Sequence, residues 1–138
     1  MTLKALIIRQ PWIGKILAGT KTWEMRSTGW QHRGQIALIE KGSGKIVGVA
    51  RMIEDRGPLT AAEMHKTIHL HGVPADEIAG VVADGWTRPW VLGDVHMLPR
   101  PVPYVHPKGA VKTVNLNEET SVLVLAQVSN RPSLKKAA

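Results

Sequence analysis

Cysteine is absent from the 138 residues of this chain. Its absence excludes disulfide bonds, thiolate catalysis and zinc sites that depend on cysteine. The sequence also lacks a stretch that is long and apolar enough to span a bilayer, and it has no signal-peptide hydrophobic region. We therefore expect a cytoplasmic protein that does not bind membranes.

Aromatic residues are scarce and unevenly chosen, with five Trp, one Tyr and no Phe. The core must therefore rely on Ile, Leu, Val and Met. Trp23 and Trp90 lie in strand-like runs, and we predict that both pack in the core. Trp30 and Trp86 lie in polar segments, where stacking on a nucleobase and ordinary packing are both open.

Acidic residues are outnumbered by basic ones, 11 against 18, which gives a formal net charge of +7. Such an excess favours a polyanionic partner, nucleic acid before an anionic membrane, although a basic surface can also serve solubility alone. The length fits one domain with a useful core. We predict a single domain over residues 1–128 and a basic flexible tail over 129–138, and the oligomeric state stays open.

Hydrophobic periodicity predicts strands that alternate with short helices. The Gly-Ser-Gly segment 42–44 suits a hairpin turn between two strand-like runs, and Gly48 indicates a bulge or a close approach to a neighbour. Thr60 and Glu63 have the spacing of a capping box. The expected strands cover 3–9, 22–26, 34–41, 45–55, 89–98 with an extended 99–103, and 109–116. Three helices are expected to begin at Pro11, Thr60 and Pro74, and a fourth helix is expected over 118–128.

The segment 19–26 concentrates two cations, a carboxylate and hydroxyl groups at a helix-to-strand junction. Gly19 suits the end of the helix, and the pattern then changes to the alternation of a strand. Alternation places Glu24 and Arg26 on one face, with Lys21 entering from the turn before them. A buried strand carries this many charges only where they face a cleft or one another. The segment therefore indicates either a ligand site or an ion network that pins the helix to the strand.

Two separated blocks of the sequence occur in a recognisable order. The first is a strand at 3–9 followed by Gln10-Pro11-Trp12, 16–19, Lys21, Thr22, Glu24 and Arg26, and the second is the run 90–95 followed by 98–103. Together they resemble the signature of the ASCH domain, over roughly residues 3–116. The resemblance implies an α+β fold, a small, mostly antiparallel PUA-like β-barrel flanked by helices, and a protein that handles RNA.

In ASCH proteins the first block lines a cleft, and some members hydrolyse the acetyl amide of N4-acetylcytidine. The amidohydrolase pattern has a Lys and, three residues later, a Thr nucleophile. Lys21 matches that Lys, whereas Glu24 occupies the Thr position. Three interpretations remain open: Thr22 serves as the nucleophile, Glu24 acts as a general base on water while Lys21 polarises the acyl oxygen, or the cleft only binds.

A metal is the alternative that histidines suggest. His65 and His69 lie four residues apart on the predicted helix, a spacing compatible with metal ligands. No HExxH-type pattern accompanies them, and a solvated helix face explains the same spacing. We expect neither a metal nor any other cofactor.

The predicted function is recognition of RNA or a modified nucleoside in a basic cleft. Its alternatives are a hydrolase in the same cleft, either an N4-acetylcytidine-type amidohydrolase or a ribonuclease, and a protein-interaction adaptor. Basic residues around the two blocks would flank the cleft and contact phosphates, and Glu24 would accept a hydrogen bond from an exocyclic amine of the base. These basic residues are Arg9, Lys15, Arg26 and Arg33 near the first block and Arg88, Arg100, Lys108 and Lys112 near the second. The candidate catalytic residues are Lys21, Thr22 and Glu24, and the candidate ligand-binding residues are Arg9, Trp12, Lys21, Glu24, Arg26, Arg88 and Arg100.

Overall fold

Six strands and five α-helices follow one another along residues 2–129, the part of the chain that the computed structural model describes. The predicted tail lies outside the described residues from position 130 onward. The strands are β1 (Lys4–Ile8), β2 (Trp23–Arg26), β3 (Gly34–Glu40), β4 (Lys45–Asp55), β5 (Arg88–Pro103) and β6 (Thr113–Asn115). The helices are α1 (Trp12–Leu17), α2 (Ala61–Lys66), α3 (Ile68–His71), α4 (Ile78–Ala83) and α5 (Glu118–Ser129), and a 3₁₀ turn at Ala75–Glu77 precedes α4.

The strands form one curled sheet in the order β2-β5-β4-β3-β1-β6. Only β1 and β3 pair in parallel, and the other neighbouring strands pair antiparallel. This confirms the predicted α+β class and the mostly antiparallel sheet. Because β1 and β3 run parallel while β6 runs antiparallel to β1, the ends of β1 and β3 and the start of β6 share one edge of the sheet.

The predicted hairpin between β3 and β4 is confirmed. Its turn is held by a hydrogen bond of 3.1 Å from the Ser43 amide to the Glu40 carbonyl. The pairing of β4 with β5 shifts register next to Gly48. A Cβ atom at Gly48 would lie only 2.9 Å from the backbone oxygen of His96, so the close approach that glycine indicated is also present.

Capping interactions at their N-termini explain where helices α2 and α5 begin. Thr60 and Glu63 form the reciprocal capping box before α2. The amide of Thr120 donates to the Asn117 side chain over 2.8 Å, and two glutamates occupy the first turn of α5, where carboxylates complement the helix dipole.

The last strand is shorter than predicted. The sequence pattern indicated a strand over 109–116, whereas β6 covers only Thr113–Asn115. Gly109 has a positive φ of 86°, and the Ala110 amide bonds to the Pro107 carbonyl over 3.2 Å. The chain therefore turns at this point instead of extending, and the strand begins only after the turn.

Apolar side chains fill both faces of the sheet. One cluster lies beneath α5, and a second packs against α1 and contains Trp90. A third joins Trp23 and Met25 of β2 to the helices α2 to α4. Trp23 and Trp90 are 8% and 2% exposed, which confirms the predicted core positions. Within residues 2–129, no helix is long and apolar enough to cross a membrane.

A glutamine of α5 bonds to the backbone of β5 in both directions. The Gln127 side chain accepts from the Arg100 amide over 3.0 Å and donates to the Arg100 carbonyl over 2.8 Å. Since β2 pairs only with the first residues of β5, Arg88 to Val91, this contact fixes α5 against the part of β5 that extends beyond β2.

Candidate functional site

A cavity of about 510 Å³ opens where β2, the shared edge of β1, β3 and β6, and the α4 region meet. Its volume lies within the range of about 300–1,000 Å³ that is common for small-ligand sites. Five cationic side chains and two carboxylates contribute to its lining. The lining residues are Ile7, Arg9, Trp12, Lys21, Glu24, Met25, Arg26, Lys41, Val73, Val81, Asp84, Trp86, Val111 and Lys112.

The floor of the cavity carries a buried triad, which we define as Lys21, Glu24 and Arg26. Arg26 Nε donates to Glu24 Oε2 over 3.1 Å, and Lys21 Nζ lies 3.7 Å from Glu24 Oε1. Arg26 Nη2 also donates to the Ile7 carbonyl over 2.6 Å. The predicted shared face of Glu24 and Arg26 is thereby confirmed, and the carboxylate lies between two cations that reach it from opposite ends.

Local sequence explains how the triad assembles. Gly19, with a positive φ of 83°, ends the first helix in the conformation that glycine adopts most readily. The chain then enters β2, where Glu24 and Arg26 are two residues apart and lie on the same face of the strand. Lys21 precedes the strand, so its long side chain reaches Glu24 from the turn.

The Lys21 ammonium is held by backbone as well as by Glu24. Its Nζ donates to the carbonyls of Trp23 and His71, each over 2.5 Å. Burial lowers the pKa of Lys21 to about 8, and Glu24 acts against that shift. At pH 7 the charged form therefore predominates by about tenfold, and it ties β2 to the end of α3.

Two tryptophans contribute apolar surface to the cavity. The Trp12 ring is half-buried, and Lys15 Nζ and Lys21 Nζ each lie 5.1 Å from its centroid, close enough for cation–π attraction. Trp86 is 42% exposed, and its amide bonds to the Val81 carbonyl over 3.0 Å in the turn after α4. Its position offers a stacking surface that no aromatic neighbour occupies in residues 2–129.

The imidazole of His71 is fully buried beside the triad and must be neutral to make its contacts. Its Nε2 bonds to the Met64 carbonyl over 2.8 Å, and its Nδ1 accepts from the Val73 amide over 2.9 Å. Burial lowers the pKa of His71, and the charges of Lys21, His69 and His65 add to that shift. The ring thereby fixes the turn that supplies one carbonyl to Lys21 and Val73 to the cavity.

We expect the free energy of unfolding to fall as pH decreases below about 6.5, because His71 takes up a proton in the unfolded chain before it does so in the folded one. The slope contributed by one such group reaches at most about 1.4 kcal/mol per pH unit. Urea unfolding between pH 5.0 and 7.5 measures it. Glutamine at position 71 keeps a donor and an acceptor and should reduce the slope. Replacing the exposed His69 by Gln is the control, and an equal slope in His71→Gln and wild type would contradict the assignment.

The structure brings five of the predicted site residues together. Arg9, Trp12, Lys21, Glu24 and Arg26 all line the cavity. They come from the residue after β1, the start of α1, the turn before β2, and β2 itself. The first sequence block thus supplies the floor and part of the wall.

Three other predicted site residues lie elsewhere. Thr22 is exposed and does not line the cavity. Arg88 Nη2 donates to Asp55 Oδ2 over 3.0 Å. Arg100 lies beside Gln127 of α5, and with it lines a separate pocket.

Sequence reasoning did not select Lys41, and it left Trp86 open between stacking and packing, yet both line the cavity. Lys112, one of the basic residues expected to flank the cleft, lines it as well. Lys41 follows β3 and Lys112 precedes β6, and both reach the cavity because these strands flank β1. The parallel pairing of β1 with β3 was the missing information. For Trp86, the polar segment around it indicated stacking on a ligand and ordinary packing equally well.

Among residues 2–129, no group of three or more His, Cys, Asp or Glu side chains is placed to hold a metal ion. His71 faces the Met64 carbonyl and the Val73 amide, whereas His65 and His69 are exposed. The pair that the helical spacing suggested therefore has no third ligand in this part of the chain.

The chain shares its fold and its family with known proteins. Its fold is similar to the crystal structure of ASCH from Zymomonas mobilis, with a TM-score of 0.70, 12% identity, and coverage of 89% of this chain and 93% of that one. Two mutant forms of the Zymomonas mobilis protein each match with a TM-score of 0.67 and 12% identity. They cover 89% and 91% of this chain, and 94% and 98% of their own.

No curated protein matches the sequence. The family model of the ASCH domain, however, matches residues 6–98, which is more than half of the chain. The matched range contains the triad and Trp86. The chain therefore belongs to the ASCH domain family.

Proposed function

We propose that this protein binds RNA by accepting one nucleoside unit, standard or modified, into the cavity above the triad. The observation that carries the proposal is the combination of a buried cation–carboxylate–cation floor with tryptophan walls. Proteins that read single-stranded RNA stack unpaired bases on aromatic rings and bond to their edges. Membership of the ASCH family supports a role with nucleic acid in general terms.

The triad retains hydrogen-bonding capacity for a base. Within residues 2–129, Glu24 Oε1 makes only the 3.7 Å contact to Lys21, so it can accept from an exocyclic amine. Arg26 uses Nε and Nη2 in the contacts described, and a guanidinium has five N–H groups in all. In the proposed complex Glu24 accepts from the base and a remaining N–H of Arg26 donates to it, which would match the alternating edge of a nucleobase.

Trp86 offers the sharpest test of this proposal, since its ring is exposed and its removal leaves the triad intact. We expect Trp86→Ala to weaken binding of a short mixed-sequence single-stranded RNA by about tenfold, because stacking of one base contributes about 1–3 kcal/mol. Calorimetry or anisotropy measures the affinity. Ile53→Ala is the matched control, because Ile53 is 51% exposed and lies outside the cavity. Equal affinities of the two variants would contradict the proposal.

Hydrolysis in the same cavity is the second candidate, and one observation favours it. Burial lowers the pKa of Lys21 to about 8, so a neutral amine is accessible near that pH and can assist proton transfer. Mass spectrometry of N4-acetylcytidine and of short RNA, incubated with wild type and with Lys21→Met, tests it. Product formed by wild type would establish an enzyme, and its absence with folded Lys21→Met would assign a role in the reaction to Lys21. Intact substrates would leave RNA binding as the only supported function.

A further inference from the structure

Three exposed cations surround the edge of the cavity, and we define Arg9, Lys41 and Lys112 as the basic rim. The sheet brings them together, because the ends of β1 and β3 and the start of β6 share one edge. Backbone hydrogen bonds fix that juxtaposition. The Lys41 amide donates to the Ile8 carbonyl, and the Ile7 amide donates to the Lys112 carbonyl, each over 2.9 Å.

The charge of the basic rim is not neutralised within residues 2–129. None of its three side chains forms an ion pair there, and Lys112 Nζ donates only to the neutral Thr28 hydroxyl over 3.2 Å. By contrast, the cations of the triad share Glu24. The rim is therefore the part of the cavity where an external anion gains most.

Asp84, the second carboxylate of the cavity, makes the distribution of charge across the cavity asymmetric. Asp84 follows α4 and adjoins the turn that carries Trp86, whereas the rim lies at the sheet edge. The negative charge of Asp84 repels an anion, whereas the positive potential of the basic rim attracts one. A ligand with one anionic end and one planar aromatic end would be oriented by this distribution.

We propose that the basic rim binds a phosphate group, so that the cavity takes a phosphorylated nucleotide unit in preference to the same nucleoside without its phosphate. This inference rests on the proposed function and adds the class of ligand. A phosphate presents several oxygens to several cations at once, and charge-assisted hydrogen bonds of this kind are about twice as strong as neutral ones. The base then occupies the part of the cavity above the triad.

Calorimetry with the four nucleosides, their 5′- and 3′-monophosphates and inorganic phosphate tests the proposal. We expect at least one monophosphate to bind wild type at least about tenfold more tightly than its nucleoside, the size of effect that one or two charge-assisted hydrogen bonds give. In the triple variant Arg9→Gln, Lys41→Gln, Lys112→Gln, that ratio should fall close to one. The preference should also weaken as salt is raised.

A matched control separates the rim from overall charge. Lys45→Gln, Arg51→Gln, Lys66→Gln removes the same formal charge from exposed positions outside the cavity, and it should keep the wild-type preference. Loss of the preference in this control as well would overturn the inference, because diffuse net charge would then explain it. A short RNA of four nucleotides, compared with the monophosphates, shows whether the phosphate is that of a free nucleotide or of a chain.

The two proposals fail in different ways. Equal binding of nucleosides and monophosphates by wild type would overturn the phosphate rim and leave the nucleoside cavity in place. Binding of inorganic phosphate that the rim variant loses, without any binding of nucleosides, nucleotides or RNA, would support the rim and overturn the proposed function. Absence of all binding would overturn both.

Discussion

Replacement of Lys21 by Met is expected to lower the free energy of unfolding by about 3–5 kcal/mol, the range that is typical when one partner of a buried ion pair is removed. Methionine retains much of the volume but has no charge and no donors. Glu24 would lose one of its two cations, and the carbonyls of Trp23 and His71 would lose the ammonium that bonds to them. Urea unfolding followed by tryptophan fluorescence measures the change.

Lys15→Met is the matched control for this variant. Lys15 Nζ lies at the same 5.1 Å from the Trp12 ring centroid as Lys21 Nζ, but Lys15 is only half-buried and bonds to the Gly72 carbonyl over 3.4 Å. We expect its loss to cost less than about 1 kcal/mol. If the two variants were equally stable, the ammonium of Lys21 would not be the element that ties β2 to α3.

Replacement of Glu24 by Gln is expected to have a comparable effect on stability and a further one on binding. The amide keeps the shape of the carboxylate, so the loss reports the charge. Lys21 and Arg26 would remain buried beside each other without their shared anion, at a cost of about 3–5 kcal/mol. Affinity for RNA should also fall, since the acceptor facing the base would lose its charge, and unchanged affinity would contradict the role given to Glu24.

A double-mutant cycle measures the interaction energy between Lys21 and Glu24. In the presence of Glu24→Gln, Lys21→Met should cost less than in wild type, by about 0.5–3 kcal/mol, because the cation is removed from a site that no longer holds its anion. Glu54→Gln is the control for the carboxylate. The Glu54–Arg56 pair has a similar distance of 3.3 Å but is about half exposed, so its loss should cost no more than about 1 kcal/mol.

The floor of the cavity could be predicted from the sequence because its geometry is local. Glu24 and Arg26 are two residues apart on a strand, and Lys21 needs only a turn to reach them. The same alternation would place Thr22 on the face of Glu24, yet Thr22 does not line the cavity. The strand begins at Trp23, so the alternation that relates side chains within a strand does not extend to the residue before it.

The place of Lys41 in the basic rim could not be predicted because it depends on pairing between distant segments. Lys41 and Lys112 join Arg9 only through the neighbours of β1, one parallel and one antiparallel. The position of the Arg88 side chain could not be predicted from the sequence for the same reason. It lies opposite Arg26 in the pairing of β2 with β5, yet its guanidinium bonds to Asp55, which the pairing of β4 with β5 brings to it.

The bond between Gln127 and Arg100 has a consequence for behaviour at high concentration. An unpaired stretch of strand offers its amides and carbonyls as a template for intermolecular β-pairing, the first step of aggregation. At Arg100 the glutamine amide satisfies both backbone groups as an adjoining strand would. Prolines at positions 99, 101 and 103 remove three more donors from the same stretch. Helix α5 and these prolines thus protect the longest strand of residues 2–129 from association with another copy.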